Sequence, residues 1–235
     1  HDITGKKIAA YIPKGENTAA LYQFMVKSYD LLEKHPINQK RRACGKRPAN
    51  SLWLWGEGQK PALDSFESKF GLKGSVISAV DLLKGIGICA GMHTCNVPGA
   101  TGYIDTNFAG KLQAAVQELQ NGQDFVYIHI EAPDECGHRG ELANKIYAIE
   151  QIDQLILSGL IRALQKMGDH SILVLPDHPT PLATKTHCAD PVPYFLYRST
   201  VQTGSGVSVF DEASAKNTGI FIQKGDTLMN RFLKR

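Results

Sequence analysis

The first candidate site residues lie in a short stretch that follows an apolar run. Residues 125–130 read "FVYIHI", and the next ten residues read "EAPDECGHRG". This stretch carries Asp134 and His138, with Gly137 between them. The end of a buried strand requires turn residues, but it requires neither a carboxylate nor an imidazole. We therefore interpret Asp134 and His138 as metal ligands in a short loop.

Two further segments carry the same residue types next to apolar runs. The run 171–176 is followed by "DHPTP", which begins with adjacent Asp177 and His178. His187 lies in "TKTHCADPVPYF", just before the apolar run that starts near Val192. If the strands are parallel, the first two loops share one edge of the sheet, where α/β proteins bind ligands. His187 follows closely enough to fold back over that edge.

A mixed set of carboxylate and imidazole ligands suits particular metal ions. Such sets bind Mn²⁺, Zn²⁺, Co²⁺ or Fe²⁺, whereas sets of oxygen ligands favour Mg²⁺ or Ca²⁺. Five ligands exceed what one four-coordinate ion with an open position needs. They suit two ions that share a substrate or a nucleophile, as in phosphoryl and sulfuryl transfer. The hypothesis requires Asp134, His138, Asp177, His178 and His187 to converge, since ligands more than about 10 Å apart cannot share ions with bonds of ~2 Å.

Each residue also has an ordinary interpretation. Asp134 could be a turn or cap residue, and Asp177 could cap whatever follows Pro179. The histidines could be hydrogen-bonded surface residues. Cys136 and Cys188 are rival ligands, but we interpret them as small packing residues, because thiolates would favour structural zinc. Only the joint placement of the set at three strand ends favours a metal site.

The composition is that of an ordinary globular protein. Of 235 residues, 43% are hydrophobic and 21% are charged, and the net charge is +3. No apolar stretch reaches the roughly 18 residues of a membrane span. The basic cluster Lys40-Arg41-Arg42 is too small to predict a nucleic-acid surface. Five cysteines without C-x-x-C spacing favour reduced thiols and a cytoplasmic setting.

The apolar periodicity predicts an α/β layered fold with a mostly parallel sheet. Residues 1–70 are expected to form one domain and residues 71–235 a second. In the first, we predict a helix at 17–36 and a strand at 50–58. In the second, we predict helices at 81–92, 105–122 and 141–170, the last bent at Gly159, strands at 74–80, 124–130, 171–176 and 192–198, and a short helix near the end of the chain.

Several long segments together resemble a known family. They are "RPANSLWLWGEGQKP", "VPGATGYIDTN", "APDECGHRGELANKIYAIEQID" and "LPDHPTPLATKTHCADPVPYFLY". They are similar to the archaeal type of cofactor-independent phosphoglycerate mutases, which belong to the alkaline phosphatase superfamily. The resemblance runs over nearly the whole chain. It implies an alkaline-phosphatase-like three-layer domain at 71–235 and part of an α+β cap domain at 1–70.

The resemblance also implies a reaction and a ligand assignment. The family interconverts 3-phosphoglycerate and 2-phosphoglycerate, a step of glycolysis and gluconeogenesis, through a phosphoserine at a two-metal site. Carried over by motif, Asp134, His138 and His187 would hold one ion, and Asp177 and His178 the other. Mn²⁺ fits the ligand set and the family, while Mg²⁺, Co²⁺ and Zn²⁺ stay open. The expected partner is a phosphorylated small molecule, and neither nucleic acid nor a membrane.

The resemblance also gives three basic residues as candidates for substrate binding. Lys84 matches a lysine that contacts the phosphate in this family, and its alternative is an exposed helix lysine. Arg42 and Arg47, with the start "HDITGK", fall in the cap-like region and could equally be ordinary exposed residues.

The family's nucleophilic serine and an upstream aspartate have no match in this sequence. Ser78 lies near the end of the strand predicted at 74–80, as a nucleophile might, but it falls in a different motif. We therefore expect the chain to be the C-terminal part of a longer protein. Residues 1–235 alone should have little or no mutase activity, and a normal turnover rate would contradict this.

Two other functions fit the same residues. One is another phosphotransferase, phosphatase, phosphodiesterase or sulfatase of the alkaline phosphatase superfamily, which shares the metal loops and differs in the cap. The other is a metal-binding partner subunit without catalysis, which the missing serine favours.

Overall fold

The computed structural model describes residues 3, 5–16, 18–54, 56, 58–201 and 203–233. The chain divides into two compact units, His1–Lys60 and Pro61–Arg235. The boundary thus falls ten residues before the position expected from the sequence. The reason lies at Phe66, whose backbone N–H donates to the Ala90 carbonyl at 2.8 Å. Its ring also stacks on Phe125 at 4.9 Å, so the segment before residue 70 packs with the second unit.

The regular structure described in the first unit is helical. Its elements are a 3₁₀ turn and two α-helices: Ile8–Tyr11, α1 (Thr18–Glu33) and α2 (Pro36–Ala43). The predicted helix at 17–36 is confirmed over 18–33, although Asn17, one of its two candidate caps, lies outside the described residues. Pro36 begins a second helix, as proline can at the first helical position.

The strand predicted at 50–58 is wrong. Residues 50–54, 56 and 58 have no regular structure, and Trp55 and Glu57 lie outside the described residues. Side chains, rather than a neighbouring strand, bind this backbone. The Leu52 N–H donates to Ser28 Oγ of α1 at 2.8 Å, and the Ala49 N–H donates to Asn38 Oδ1 of α2 at 3.0 Å. These contacts satisfy backbone groups that a strand would have paired in a ladder.

The second unit alternates strands and helices. Its elements in chain order are α3 (Phe66–Phe70), β1 (Gly74–Ile77), α4 (Asp81–Cys89), β2 (His93–Cys95), α5 (Phe108–Gln120), β3 (Phe125–Ile128), α6 (Ala132–Arg139), α7 (Leu142–Gln151), a π-helical segment (Ile152–Leu157), α8 (Ser158–Leu164), β4 (Ser171–Val174), β5 (Phe195–Arg198), α9 (Glu212–Asn217), a 3₁₀ turn (Gly225–Thr227) and α10 (Leu228–Leu233). The C-terminal region therefore holds one helix more than expected. Among the residues that the structure describes, every helix is too short or too polar to span a lipid bilayer.

A three-stranded parallel sheet in the order β2-β1-β3 forms the centre of this unit. Ile77 of β1 is fully buried and packs with Cys95 of β2 and Ala115 of α5. The expectation of an α/β fold with a parallel sheet is confirmed, and the layering is consistent with an alkaline-phosphatase-like domain. Strand β2 was not predicted, because three residues are too few to show a period.

The strands β3 and β4 do not share a sheet in the described part of the chain. Strand β4 pairs antiparallel with β5, with Val174 opposite Phe195. This corrects the expectation that β3 and β4 run parallel in one sheet. The segments that follow β3 and β4 nevertheless meet, since Asp134 and His187 are in contact.

The helical stretch predicted at 141–170 is confirmed as a run of α7, the π-helical segment and α8. Gly159 follows the π-helical segment by two residues. A Cβ placed on Gly159 would lie 2.2 Å from Leu112 Cδ2 of α5, so any side chain at this position would require Leu112 to move. In place of the bend predicted at Gly159, the helix thus has a π-helical segment with wider turns just before this glycine.

Candidate metal centre

Helix α6 positions the first two candidate ligands. Pro133 lies in its first turn, and Gly140 ends it in the left-handed conformation with φ 73°. The expectation of a loop here is wrong. A four-residue spacing puts Asp134 and His138 on the same face of a helix, and His138 Nε2 lies 3.4 Å from Asp134 Oδ2.

The irregular segment after β4 brings two more histidines to the same place. His187 Nε2 lies 3.1 Å from His138 Nε2 and 3.4 Å from Asp134 Oδ1. The rings of His178 and His187 have their centroids 3.6 Å apart. One nitrogen each of His178 and His187 and one oxygen of Asp134 lie within 4.8 Å of one another. His178 therefore adjoins the residues expected at the first ion.

Asp177 lies at the exposed end of this cluster. Its side chain is 68% exposed, and its Oδ2 is 3.2 Å from His178 Nε2. The His138 side chain at the other end is only 13% exposed. The cluster therefore has one buried end and one end open to solvent, where a substrate can enter.

The distances in this cluster fit a coordinated ion. Ligand atoms that bind one tetrahedral ion at about 2.0–2.1 Å lie about 3.3 Å from one another. The Nε2 atoms of His138 and His187 are 3.1 Å apart, and each lies 3.4 Å from a different oxygen of Asp134. The two imidazole nitrogens thus have close to the spacing of ligands of one ion, and the Asp134 carboxylate lies beside both.

A backbone contact fixes the proton of His138. The Nδ1 of His138 lies 2.9 Å from the carbonyl oxygen of Lys185. Because a carbonyl only accepts, Nδ1 must carry the proton and Nε2 of the neutral ring presents its lone pair. Lys185 has a φ of 54°, an unusual conformation for a residue with a side chain. The strained residue thus presents the carbonyl that sets the tautomer of His138.

Thr180 and Lys145 hold the two segments of the cluster together. Thr180 is buried, and its hydroxyl donates to Asp134 Oδ1. Lys145 of α7 donates to the Thr180 carbonyl at 2.8 Å. Sequence reasoning missed both residues. The available signal was the position of Thr180 between Pro179 and Pro181, two residues after His178.

Replacing Thr180 with valine should weaken divalent-metal binding about 10- to 100-fold, the usual cost of losing a partner that orients a ligand. Valine keeps the shape but leaves the Asp134 carboxylate without its hydroxyl donor. Isothermal titration with Mn²⁺ measures the effect. Thr184→Val is the matched control, because the exposed Thr184 hydroxyl donates only to backbone carbonyls of its own loop. Equal affinities for Thr180→Val and the wild type would contradict the positioning role.

A buried lysine lies next to the strand that leads into the site. Lys111 of α5 is fully buried, and its Nζ donates to the His129 carbonyl at 3.0 Å. Burial lowers the pKa of Lys111 from 10.5 to about 8, although the nearby Glu131 carboxylate opposes this. Burial also lowers the pKa of His129 and raises that of Glu131. Ser78 Oγ is 3.2 Å from His129 Nδ1 and accepts from the Val80 N–H, so this buried serine has a structural place.

Because of Lys111, we expect the free energy of unfolding to increase as the pH rises above 8. Its pKa is lower in the folded chain, so the unfolded chain binds more protons between pH 8 and 10.5. The free energy of unfolding should therefore gain about 2 kcal/mol from this group across that window. Urea unfolding of the wild type and Lys111→Met at pH 7.5 and 10 measures it. The comparison removes the opposite contributions of cysteines and tyrosines with raised pKa values, and identical pH dependence of the two proteins would contradict the prediction.

The three substrate-binding candidates lie on other elements. Lys84 is on α4, with its Nζ 3.6 Å from Asp81 Oδ1. Arg42 of the first unit contacts Glu33, with Nη2 2.6 Å from the carboxylate. The carbonyl of Arg47 accepts from Arg41 Nε at 2.8 Å. These contacts give none of the three a structural link to the metal cluster, so their substrate role stays a prediction.

The cysteines behave largely as expected. All five are free thiols, as their spacing predicted. Cys136 is fully buried in α6, and burial raises the pKa of its thiol. Cys188 is instead partly exposed, and its thiol donates to Asp190 Oδ2 at 2.9 Å.

Two known proteins similar to this chain are both named as phosphoglycerate mutases. It is 47% identical over 235 residues to a probable 2,3-bisphosphoglycerate-independent phosphoglycerate mutase of Geobacter sulfurreducens, and 47% identical over 230 residues to the corresponding mutase of Methanothrix thermoacetophila. These matches cover 100% and 97% of this chain but 59% and 58% of the relatives. The chain thus spans about three-fifths of the length of these relatives.

Solved structures agree with these similarities. A Pyrococcus horikoshii protein superimposes with a TM-score of 0.69 and 32% identity, covering 88% of this chain and 54% of that one. The cofactor-independent phosphoglycerate mutase of Thermoplasma acidophilum gives a TM-score of 0.55 and 27% identity, covering 92% of this chain and 51% of that one. The sequence model of the metalloenzyme superfamily matches residues 17–234. With that match, this chain belongs to the metalloenzyme superfamily.

Proposed function

We propose that this chain supplies the metal centre of an enzyme that interconverts 3-phosphoglycerate and 2-phosphoglycerate. The observation that supports it most is the meeting of Asp134, His138 and His187, at 3.1 to 3.4 Å, from two separate segments of the chain. The names of relatives at 47% identity point to the same substrate. The open end at Asp177 leaves room for a phosphate ester.

In this proposal two ions share the cluster. Asp134, His138 and His187 hold one, and Asp177 and His178 hold the other, with Mn²⁺ the ion that best suits imidazole and carboxylate together. When bound, such ions neutralise phosphate charge and lower the pKa of a hydroxyl nucleophile. The 3.2 Å separation of Asp177 Oδ2 and His178 Nε2 is compatible with ligands of one ion.

The chain's own residues have distinct tasks in this scheme. The Nδ1–H of His138 donates to the Lys185 carbonyl, which leaves Nε2 as the nitrogen that would bind a cation. Thr180 orients the Asp134 carboxylate. Lys84 and the arginines Arg42 and Arg47 would bind the phosphate and carboxylate groups of the substrate.

The phosphoryl group would pass through a phosphoserine. We assign the nucleophilic serine to the part of the relatives' length that this chain does not span. Ser78 is a poor nucleophile candidate, since it is 3% exposed and its hydroxyl accepts from a backbone N–H. Isolated residues 1–235 should accordingly bind metal and substrate without efficient turnover.

Paramagnetic relaxation tests the proposal without requiring turnover. Mn²⁺ bound to the chain should shorten the ³¹P relaxation time of 3-phosphoglycerate well beyond the effect of the same free Mn²⁺. A pentose phosphate and an aryl phosphate at equal concentration should show a smaller effect. His187→Gln should remove the enhancement, while His35→Gln, an exposed histidine in the first unit, should preserve it.

The outcomes separate the rival functions. Equal enhancement for all three esters would support a general phosphatase or phosphotransferase and overturn the assigned substrate. Bound Mn²⁺ without enhancement for any ester would support a non-catalytic metal-binding subunit. No Mn²⁺ binding at all would overturn the metal centre.

A further inference from the structure

A second cluster of metal-ligating side chains lies on elements that carry no residue of the candidate metal centre. It consists of His93 and Cys95 on β2 and Glu118 on α5. One ligand atom from each lies within 4.8 Å of the others. In the sheet order β2-β1-β3, strand β1 separates β2 from β3, the strand that leads to the segment with Asp134.

The geometry points to a binding site for a thiophilic divalent cation, Zn²⁺ or Co²⁺, formed by His93, Cys95 and Glu118; this we propose independently of the proposed function. His93 Nδ1 lies 2.7 Å from Glu118 Oε2 and 3.8 Å from Cys95 Sγ. In a tetrahedral site with bonds of about 2.0 Å to N and O and 2.3 Å to S, such pairs lie about 3.3 to 3.5 Å apart. To reach these values, the His93–Glu118 distance would lengthen by about 0.6 Å and the His93–Cys95 distance would shorten by about 0.3 Å.

Burial and hydrogen bonding preorganise two of the three ligands. The Cys95 side chain is buried, and the Glu118 side chain is 13% exposed. Ser75 of β1 donates to Glu118 Oε2 at 2.5 Å and fixes the carboxylate. His93 is 59% exposed and can rotate to accept an ion from solvent.

A groove beside the cluster offers the remaining coordination position. Its volume is about 330 Å³, and Asn96, Gln117 and Asn121 line it together with the three ligands. A water molecule in this groove could bind the ion and donate to a carboxamide. Three protein ligands and one water are the usual set of an open zinc site.

The ligand types separate this site from the first one. A thiolate favours Zn²⁺ or Co²⁺, whereas the candidate centre at Asp134 has only oxygen and nitrogen ligands. Cation binding releases the Cys95 thiol proton to solvent, because the thiolate is the ligand. A bound ion would cross-link β2 to α5.

Cobalt absorption tests the site directly. Co²⁺ added to the His187→Gln chain, in which the first centre is weakened, should give an intense near-ultraviolet band from thiolate-to-cobalt charge transfer. Cys95→Ser should abolish the band. Cys188→Ser is the matched control and should retain it. His93→Gln, a change at an exposed position, should weaken Co²⁺ binding more than about 100-fold, since losing a ligand costs more than losing its supporting partner.

The result that overturns the proposal is equally specific. A band that survives Cys95→Ser but disappears in Cys188→Ser would place the bound cobalt beside His187. If saturating Co²⁺ gave no thiolate band, His93, Cys95 and Glu118 would form only a hydrogen-bonded cluster and no metal site. Neither outcome affects the Mn²⁺ tests of the first centre, so the two inferences fail separately.

Discussion

Replacement of Asp134 with alanine is expected to weaken Mn²⁺ binding by more than about 100-fold, because it removes a ligand rather than a supporting partner. Asp134 presents one oxygen to His138 and the other to His187, both at 3.4 Å. Without its negative charge, the imidazoles His138, His178 and His187 would have to bind the cation with little charge neutralisation. Isothermal titration measures the loss.

Asp134→Ala should also reduce the amount by which Mn²⁺ raises the free energy of unfolding. With free Mn²⁺ at 100 times the wild-type dissociation constant, the wild type gains about 2.7 kcal/mol in free energy of unfolding. A 100-fold weaker variant gains only about 0.4 kcal/mol at that concentration. Urea denaturation with and without Mn²⁺ therefore provides a second readout.

The control for Asp134 is an aspartate that is exposed and lies on a helix. Asp153→Ala, in the π-helical segment, meets this description and should bind Mn²⁺ like the wild type. If Asp134→Ala bound Mn²⁺ as tightly as Asp153→Ala does, Asp134 would be no ligand. The hypothesis of a metal centre on α6 would then be wrong.

The sequence indicates the position of Asp134 and His138, and it also contains signals for the helix that carries them. A spacing of four residues fits one face of a helix better than it fits a loop. Pro133 and Gly140 also match the proline that begins helices and the glycine that ends them. The apolar run before them drew attention to a strand end, and the eight-residue helix that follows was too short to show a hydrophobic period.

Other parts of the site had no local signal. The contacts of Thr180 with Asp134 and of Lys185 with His138 join residues 46 and 47 positions apart in the chain. The second of them uses a backbone carbonyl, which every residue possesses. Only the folded chain shows which carbonyl meets which ring.

Fold prediction failed where tertiary contacts overrode a local pattern. The alternation at 50–58 is typical of a strand, yet Ser28 and Asn38 bind the backbone at Leu52 and Ala49 instead. The pairing of strands could not be predicted either, because β3 and β4 are similar apolar runs. Nothing in β4 alone predicts that it pairs with β5 and not with β3.

Replacement of Gly137 with alanine should both destabilise the chain and weaken Mn²⁺ binding. A Cβ on Gly137 would lie 2.5 Å from the Thr180 carbonyl oxygen and 2.9 Å from Thr180 Cγ2. It would also lie 3.0 Å from Lys145 Nζ, which donates to that carbonyl. Because the closest atom belongs to the backbone, the loop must move away from α6, and Thr180 must move away from Asp134.

The expected magnitudes follow from two opposing effects. An added methyl group in a packed contact costs about 1–3 kcal/mol, whereas alanine in a helix is favoured over glycine by about 1 kcal/mol. We expect a net loss of up to roughly 2 kcal/mol in free energy of unfolding. Mn²⁺ affinity should fall about 10-fold or more, as when the support of a ligand is lost.

Gly85→Ala separates the steric effect from helix propensity. Gly85 lies within α4, and a Cβ placed on it would meet no atom within 4 Å. That variant should therefore gain stability by up to about 1 kcal/mol and bind Mn²⁺ unchanged. Urea unfolding and Mn²⁺ titration of both variants measure the contrast. If Gly137→Ala stabilised the chain as Gly85→Ala does, the loop of Thr180 would not depend on close contact with α6, and the metal centre would need another source of rigidity.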